Sequence, residues 1–382
     1  MVKLFFCGDV LNRFSETQFI DEELQEIIKD ADLSVANFEG VIDINLPTCK
    51  SKDMMQTPNT VKFLKEAGFG LLLLSNNHIT DYGYEGLLET IKTIDSYQLD
   101  HIGAAIGYHA AYEPYIKEIS GIKIGLINLC EAQIGHYKDM NQDYGYAWIG
   151  DHLCDARILK LRKEVDVLIV LPHAGLELYS LPLQEFRDLY RHYCDLGADL
   201  VIGGHPHVPQ GMELYNGKRI VYSLGNFYFP KPDIKRSDPR NSSYSIVVSI
   251  DSNKTVSVTP IYTQLDGMKV ELCIEPSFDL DYLSCILGPN YESLLLKQNT
   301  KAFETLVYKL YKESTNGIDN SDSFRRKCSV FLRSMFSKTS NNEVHRLKLL
   351  RRLIENETYR YLSLYALNHL IDNHEYIKKA ST

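Results

Sequence analysis

The sequence has no Cys-x-x-Cys pair, no apolar run approaching 18 residues and no excess of positive charge. Each absence removes a class of protein. Its eight cysteines stand singly, and Cys7 and Cys130 lie within apolar runs. They read as buried free thiols in a reducing compartment, not as a disulfide framework or an all-thiolate metal site. Without a long apolar run there is no membrane-spanning helix. No h-region or cleavage pattern precedes the first strand, Val2 to Cys7, so the expected location is the cytoplasm. A net charge of −9 argues against nucleic acid as the main partner.

What is present is a 382-residue chain, 44% hydrophobic and 24% charged, which is the composition of a globular protein with one or two domains. Its charge is uneven. Residues 276–382 carry 16 basic and 12 acidic side chains, leaving −13 for the remainder. The acidic part is the expected seat of the chemistry, because bound cations would offset its charge. Up to about residue 265 buried strands alternate with helices, which predicts an α/β sheet with helices on both faces. From about 276, periodic Leu/Tyr/Lys segments over 290–313, 322–336, 343–354 and 357–378 replace the strands. The expectation is an α/β domain over 1–270 and an all-helical extension over 276–382. The polar stretches Pro47–Pro58, Glu131–Trp148 and Pro230–Ser243 read as loops, the first and last of them placed to cover a site.

Five strand ends carry metal-type groups: Asp9, Glu39, Asn77 with His78, His173, and His205 with His207. Asp9 follows Leu4-Phe5-Phe6-Cys7, and Glu39 ends Leu33 to Phe38 in the same way. Asn77 and His78 follow Leu71-Leu72-Leu73-Leu74, and His173 follows Val165 to Leu171. His205 and His207 flank Pro206 past Ala198 to Ile202. In an extended segment they would point the same way, with Pro206 restricting the backbone and Gly203-Gly204 permitting a tight turn. Singly, each of these is an ordinary turn or loop residue. Together, at the carboxyl edge of a sheet where ligands bind, they converge. Carboxylate and carboxamide oxygens beside imidazoles suit Mn²⁺, Zn²⁺ or Fe²⁺. Seven candidate donors are more than one ion needs and would serve two ions about 3.5–4 Å apart. His78 could serve a metal or a leaving group. Arg13 could meet an anionic substrate. His101 and His109 read as structural and His136 as solvated.

Cys7-Gly8-Asp9, Asn37-Phe38-Glu39-Gly40, Ser75-Asn76-Asn77-His78 with Asp81, His173-Ala174-Gly175-Leu176-Glu177, Gly203-Gly204-His205-Pro206-His207 and Gly225-Asn226-Phe227 together resemble the CapA family. These are the bacterial proteins of poly-γ-glutamate capsule synthesis, within the calcineurin-like metallophosphoesterase fold. The resemblance covers roughly residues 1–265. It implies a four-layer α/β/β/α sandwich, with Asp9, Glu39, Asn77, His173, His205 and His207 as ligands for one or two divalent ions. It makes His78 the catalytic histidine, with Arg13 and Glu177 as further candidates for substrate contact. The implied activity is metal-assisted hydrolysis of a phosphoester or a γ-glutamyl amide in a small or polymeric anionic substrate. The alternative is a non-catalytic metal-binding component that docks on a polymer synthase. Two departures bear on the number of ions. Where the wider fold has Asp-x-His, Asp9 is followed by Val10 and Leu11, and Glu39 stands where that fold has a bridging Asp.

Overall fold

The computed structural model describes residues 1–43, 54–133, 143–231, 238–315 and 340–380. It divides into two compact units, Met1–Pro289 and Asn290–Thr382. The helix expected over 322–336, His136 and half of the residues of the two expected covering loops fall outside the described residues.

The first unit begins with the apolar β1 (Val2–Val10) and with α1 (Glu22–Asp30), whose N-cap Asp21 accepts from the Glu23 amide. Then come β2 (Leu33–Phe38), β3 (Val41–Ile42), β4 (Met55–Gln56) and α2 (Asn59–Ala67). Gly68, at φ 105°, closes α2. Next are β5 (Leu71–Leu73), α3 (Gly83–Ser96), β6 (Asp100–Ile102), β7 (Ala104–Ile106) and α4 (Tyr108–Ala111). The hairpin expected at Ser120-Gly121 joins β8 (Tyr115–Ile119) to β9 (Ile122–Cys130), and β10 (Tyr144–Tyr146) follows. After it α5 (His152–Arg162), β11 (Val167–His173), α6 (Gln184–Asp195) and β12 (Leu200–Ile202) alternate. The unit continues with β13 (Met212–Tyr215), β14 (Lys218–Val221) and β15 (Asn226–Tyr228). It finishes with β16 (Ser242–Ile250), β17 (Val256–Asp266), β18 (Lys269–Leu272) and α7 (Leu280–Cys285).

Most of these strands form two large sheets, while β3 pairs with β4 and β7 with β10 in separate two-stranded ladders. One runs β18-β17-β16-β1-β2-β5-β6, with β15 also paired to β1. The other runs β13-β14-β12-β11-β9-β8. Alternate side chains of β1 explain the layering. Val2, Leu4 and Phe6 join Leu33, Val35 and Leu71 in meeting Ile124, Leu126, Ile169 and Leu200 of the facing sheet. Phe5 and Cys7 point the other way, onto Leu24, Ile28, Val61 and Leu64 of α1 and α2. Behind the second sheet α5 packs on β9 and β11, and α6 on β12 and β14. The result is the expected α/β/β/α sandwich.

Two local expectations are corrected. Arg219 to Phe227 is not one strand: β14 lies in the second sheet, whereas β15 pairs with β1 in the first. The chain crosses between sheets through Tyr222–Gly225, a change of partner that a continuous apolar pattern does not register. The segment beyond residue 270 also differs from the expected boundary. β18 extends β17, and α7 packs near β13 with the Ser284 hydroxyl accepting from the Met212 amide.

The described part of the second unit is helical: α8 (Tyr291–Ala302), a π-helical turn (Phe303–Val307), α9 (Tyr308–Thr315), α10 (Ser340–Glu355) and α11 (Glu357–Ala380). Asn356, between the last two, accepts from the Tyr359 amide and so caps α11. Among the described residues, no helix is long and apolar enough to cross a membrane.

Candidate metal centre

The first sheet supplies the oxygen donors. The β1–β2 register shifts between Cys7 and Asp9, a bulge that re-aims Asp9. Asp9 then lies between Asn37 of β2 and Asn226 of β15. Gly8 is required by closeness: a Cβ there would stand 1.8 Å from the Gly225 carbonyl oxygen. Asn37 donates to Asp9 Oδ1 at 2.8 Å. Glu39 follows β2, with its amide donating to the Val10 carbonyl and its own carbonyl accepting from Gln56. Asn76 ties this strand end to the next. Its Oδ1 accepts from the Gly40 and His78 amides, and its Nδ2 donates to the Phe38 carbonyl.

The second sheet supplies the imidazoles. His173 ends β11, and the Ala174 and Gly204 amides exchange hydrogen bonds with Gly204 and Pro172 across the gap. The expected extended arrangement of His205-Pro206-His207 is not what forms. His205 has φ 94° and His207 φ 60°, so the left-handed residues of this turn are the histidines themselves. Gly203 is needed for space, since a Cβ there would lie 2.2 Å from the Tyr222 carbonyl oxygen. Backbone strain of this kind, on two non-glycine residues two apart, is typical of a functional site.

The side chains from the two sheets meet. His173 Nε2 lies 3.2 Å from Asn77 Oδ1 and 3.2 Å from His205 Nδ1. On the other side, His207 Nδ1 lies 3.3 Å from Asp9 Oδ2 and 2.9 Å from Asn226 Oδ1. His207 Nε2 is 3.7 Å from Glu39 Oε1, and His173 Nδ1 is 3.8 Å from Asp9 Oδ1. Asp9, Glu39 and His173 each offer a donor atom within 4.8 Å of the others, and all three are buried.

Among the described residues, Asp9 Oδ2, Asn37 Oδ1 and both Glu39 carboxylate oxygens are buried without a hydrogen-bond partner. Unsatisfied buried acceptors are costly, and here they gather at one point. Asp9, Glu39 and His173 could hold a metal ion at that point, with two further imidazoles and a carboxamide close by. The electrostatics of the protein groups alone show the same frustration. Burial pushes Glu39 up to about 7, against the attraction of His207. Burial acts on Asp9 in the same direction, but His207 and His173 outweigh it and hold the carboxyl below its ordinary value. Burial drives His173 well below the usual histidine value. Against burial, Glu39 and Asp9 raise His207 to about 10, and Glu131 raises His205. Leu11, where Asp-x-His would place an imidazole, is a buried apolar side chain.

His78 stands at the rim, its side chain 26% exposed, with Nδ1 2.7 Å from Asp81 Oδ2. Such a carboxylate sets the tautomer and direction of an imidazole. Glu177 is half-exposed, with Oε1 3.9 Å from His205 Nε2. Burial would raise its pKa, but His205 and His207 lower it on balance. The Arg13 guanidinium lies 5.0 Å over the Phe14 ring. His101 has its pKa lowered by burial and lies 3.5 Å from Asp95, away from these residues in an ordinary structural pairing. One participant was missed in the sequence. Glu131, read as the first residue of a polar loop, is fully buried with Oε1 3.1 Å from His205 Nε2. The available signal was its position directly after the apolar run Ile122 to Cys130, the same placement that singled out Asp9 and Glu39.

Comparison with known proteins adds the following. The family profile described as "Bacterial capsule synthesis protein PGA_cap" matches residues 3–231. A Bacillus anthracis protein named capsule biosynthesis protein CapA is 27% identical over 62% of this chain, and the match spans 60% of that relative's length. A Bacillus subtilis protein named PGA biosynthesis protein CapA is 28% identical over 67% of this chain and 70% of its own. Among solved structures, a 5'-nucleotidase precursor from Thermus thermophilus aligns with a TM-score of 0.41 at 14% identity. That alignment covers 80% of this chain and 60% of the other.

Proposed function

The chain belongs to the bacterial capsule synthesis protein PGA_cap family, and from that premise we propose that it is a metal-dependent hydrolase of anionic substrates in capsule or exopolymer metabolism. The observation that carries this reading is the set of buried, partnerless oxygens of Asp9 and Glu39 among three imidazoles. Asp9, Glu39, Asn77, His173, His205 and His207 would hold one or two divalent ions. Such an ion supplies Lewis acidity toward the scissile group and makes water a competent nucleophile at neutral pH.

The chain's own side chains do the rest. His78, held by Asp81, is exposed enough to meet a substrate and passes a proton to the leaving group. Glu177 faces the cluster from the solvent side and is assigned a contact to substrate, as is Arg13 toward an anionic group. The Bacillus relatives named for capsule and PGA biosynthesis support the reading of an anionic substrate. The bond is a phosphoester or a γ-glutamyl amide.

The test uses metal-depleted protein with Mn²⁺ added back, on bis-p-nitrophenyl phosphate and on a γ-glutamyl peptide. Metal-dependent turnover of one of them is expected, with His78→Ala lower by about 10²–10⁴-fold. No turnover of either would sink the hydrolase reading in favour of a non-catalytic metal-binding component of a polymer-synthesis complex.

A further inference from the structure

Two residues outside the proposed ligand set, the buried Glu131 and the part-buried Gln133, face the atoms of that set that point away from its centre. His205 turns Nδ1 inward, 3.2 Å from His173 Nε2. For that nitrogen to present a lone pair, the ring proton must sit on Nε2. The acceptor for it is at hand: Glu131 Oε1 lies 3.1 Å from His205 Nε2, and both side chains are essentially inaccessible to solvent. Asn77 has the same problem in another form. Its Oδ1 faces His173 Nε2, so its amide must not flip. Its Nδ2 donates to Gln133 Oε1 at 3.1 Å, and Gln133 Nε2 donates to Glu131 Oε1 at 3.0 Å. Gln133 Nε2 also lies 3.2 Å from His205 Nε2, so with the ring proton on Nε2 the two N–H groups converge on Glu131 Oε1 as their shared acceptor.

The pair is itself anchored. The Glu131 amide donates to the His173 carbonyl at 3.1 Å. The buried Tyr146 hydroxyl donates to the Glu131 carbonyl and accepts from the Gln133 amide, each at 3.2 Å. Glu177 is the other carboxylate near His205 Nε2, but at 3.9 Å and half-exposed it is the weaker acceptor. Two nitrogens 3.2 Å apart hold either a proton or a cation between them. A tetrahedral ion with bonds of about 2.1 Å would space its ligands by about 3.4 Å.

We propose that Glu131 and Gln133 are a positioning pair, fixing the tautomer of His205 and the amide orientation of Asn77 so that both present donor atoms to one divalent cation. This rests on the metal reading above and adds the residues that set ligand direction. Partners of this kind characteristically change metal affinity by about 10–100-fold when replaced.

The test is Glu131→Gln in the full chain, an isosteric change that removes the charge and can present N–H to the imidazole. Metal affinity is measured by chelator competition with Zn²⁺ and Mn²⁺. The His205 tautomer is read from ¹⁵N shifts of histidine-labelled protein, with Zn²⁺ and again in chelator at pH 9. In the unsubstituted protein the proton is expected on Nε2, and Glu131→Gln is expected to weaken Zn²⁺ binding at least tenfold and to change the tautomer balance. Gln133→Leu, which leaves the Glu131 carboxylate in place, is expected to weaken binding less than Glu131→Gln. Binding of Zn²⁺ by Glu131→Gln within twofold of the parent, or a parent His205 protonated on Nδ1, overturns the proposal while leaving the metal reading intact. A parent that binds neither ion overturns both, so the two failures are distinguishable.

Discussion

Glu39 is the most direct place to perturb the centre. Among the described residues its carboxyl has no hydrogen-bond partner on either oxygen, and burial lifts it from 4.5 to about 7. The sign follows from linkage. A carboxyl raised in the folded state binds its proton more tightly there than in the unfolded chain. Without metal, the contribution of this group to stability therefore falls as pH climbs from about 4.5 through 7, by about 3 kcal/mol. A cation takes the place of that proton, so the stabilisation by Mn²⁺ should be small at pH 5 and larger at pH 8, by up to about 3 kcal/mol from this residue. At roughly 2 °C per kcal/mol for a unit of this size, that is about 6 °C in Tm. In Glu39→Gln this increment should vanish, leaving the pH dependence that the histidines contribute. The assay is thermal unfolding of both proteins with EDTA and with Mn²⁺, at pH 5 and pH 8. An equal Mn²⁺ shift at both pH values in the parent, or a full pH 8 shift in Glu39→Gln, would refute the reasoning.

Further outcomes follow from other contacts. Asp81→Asn should lower turnover about tenfold or more by releasing His78 while leaving the Mn²⁺-induced Tm shift unchanged, which separates orientation from metal binding. Gly203→Ala drives a methyl against the Tyr222 carbonyl, so a loss of about 1–3 kcal/mol in urea unfolding is expected, together with weaker metal binding. Glu213 is held at about 2: burial opposes this, but Arg187, Arg191 and the Tyr222 hydroxyl outweigh it. This depressed carboxyl contributes stability above pH 4.5 that is lost as pH falls toward 2. Glu213→Gln should therefore lose about 2–3 kcal/mol at pH 7 in denaturant unfolding, and the difference should close near pH 2.

The positions of Asp9, Glu39, Asn77, His173 and the His205–His207 pair were legible because each is a polar residue shortly after a buried apolar run. That pattern is local, set by where a strand leaves the core, and the chain carries it without any partner. The helical character of α8 to α11 was legible for the same reason, through apolar periodicity. Other features were not local. Glu131 looked like the start of a loop until β9 and β11 came side by side, carrying it against His205. The turn at His205 and His207 depends on Gly204 pairing with the end of β11, which forces φ values that residue type alone argues against. The Tyr222–Gly225 crossing, likewise, is visible only once two sheets exist to be crossed.

The sequence by itself determined the family, the alternation of buried strands and helices, and the donor types at the strand ends. Tertiary structure decided which of these side chains meet, which buried carboxylate oxygens lack a partner among the described residues, and that Glu131 lies against His205. The physical reason is range. Burial and periodicity are written in neighbouring residues, whereas ligand direction depends on contacts between strands 28 to 96 positions apart in the chain.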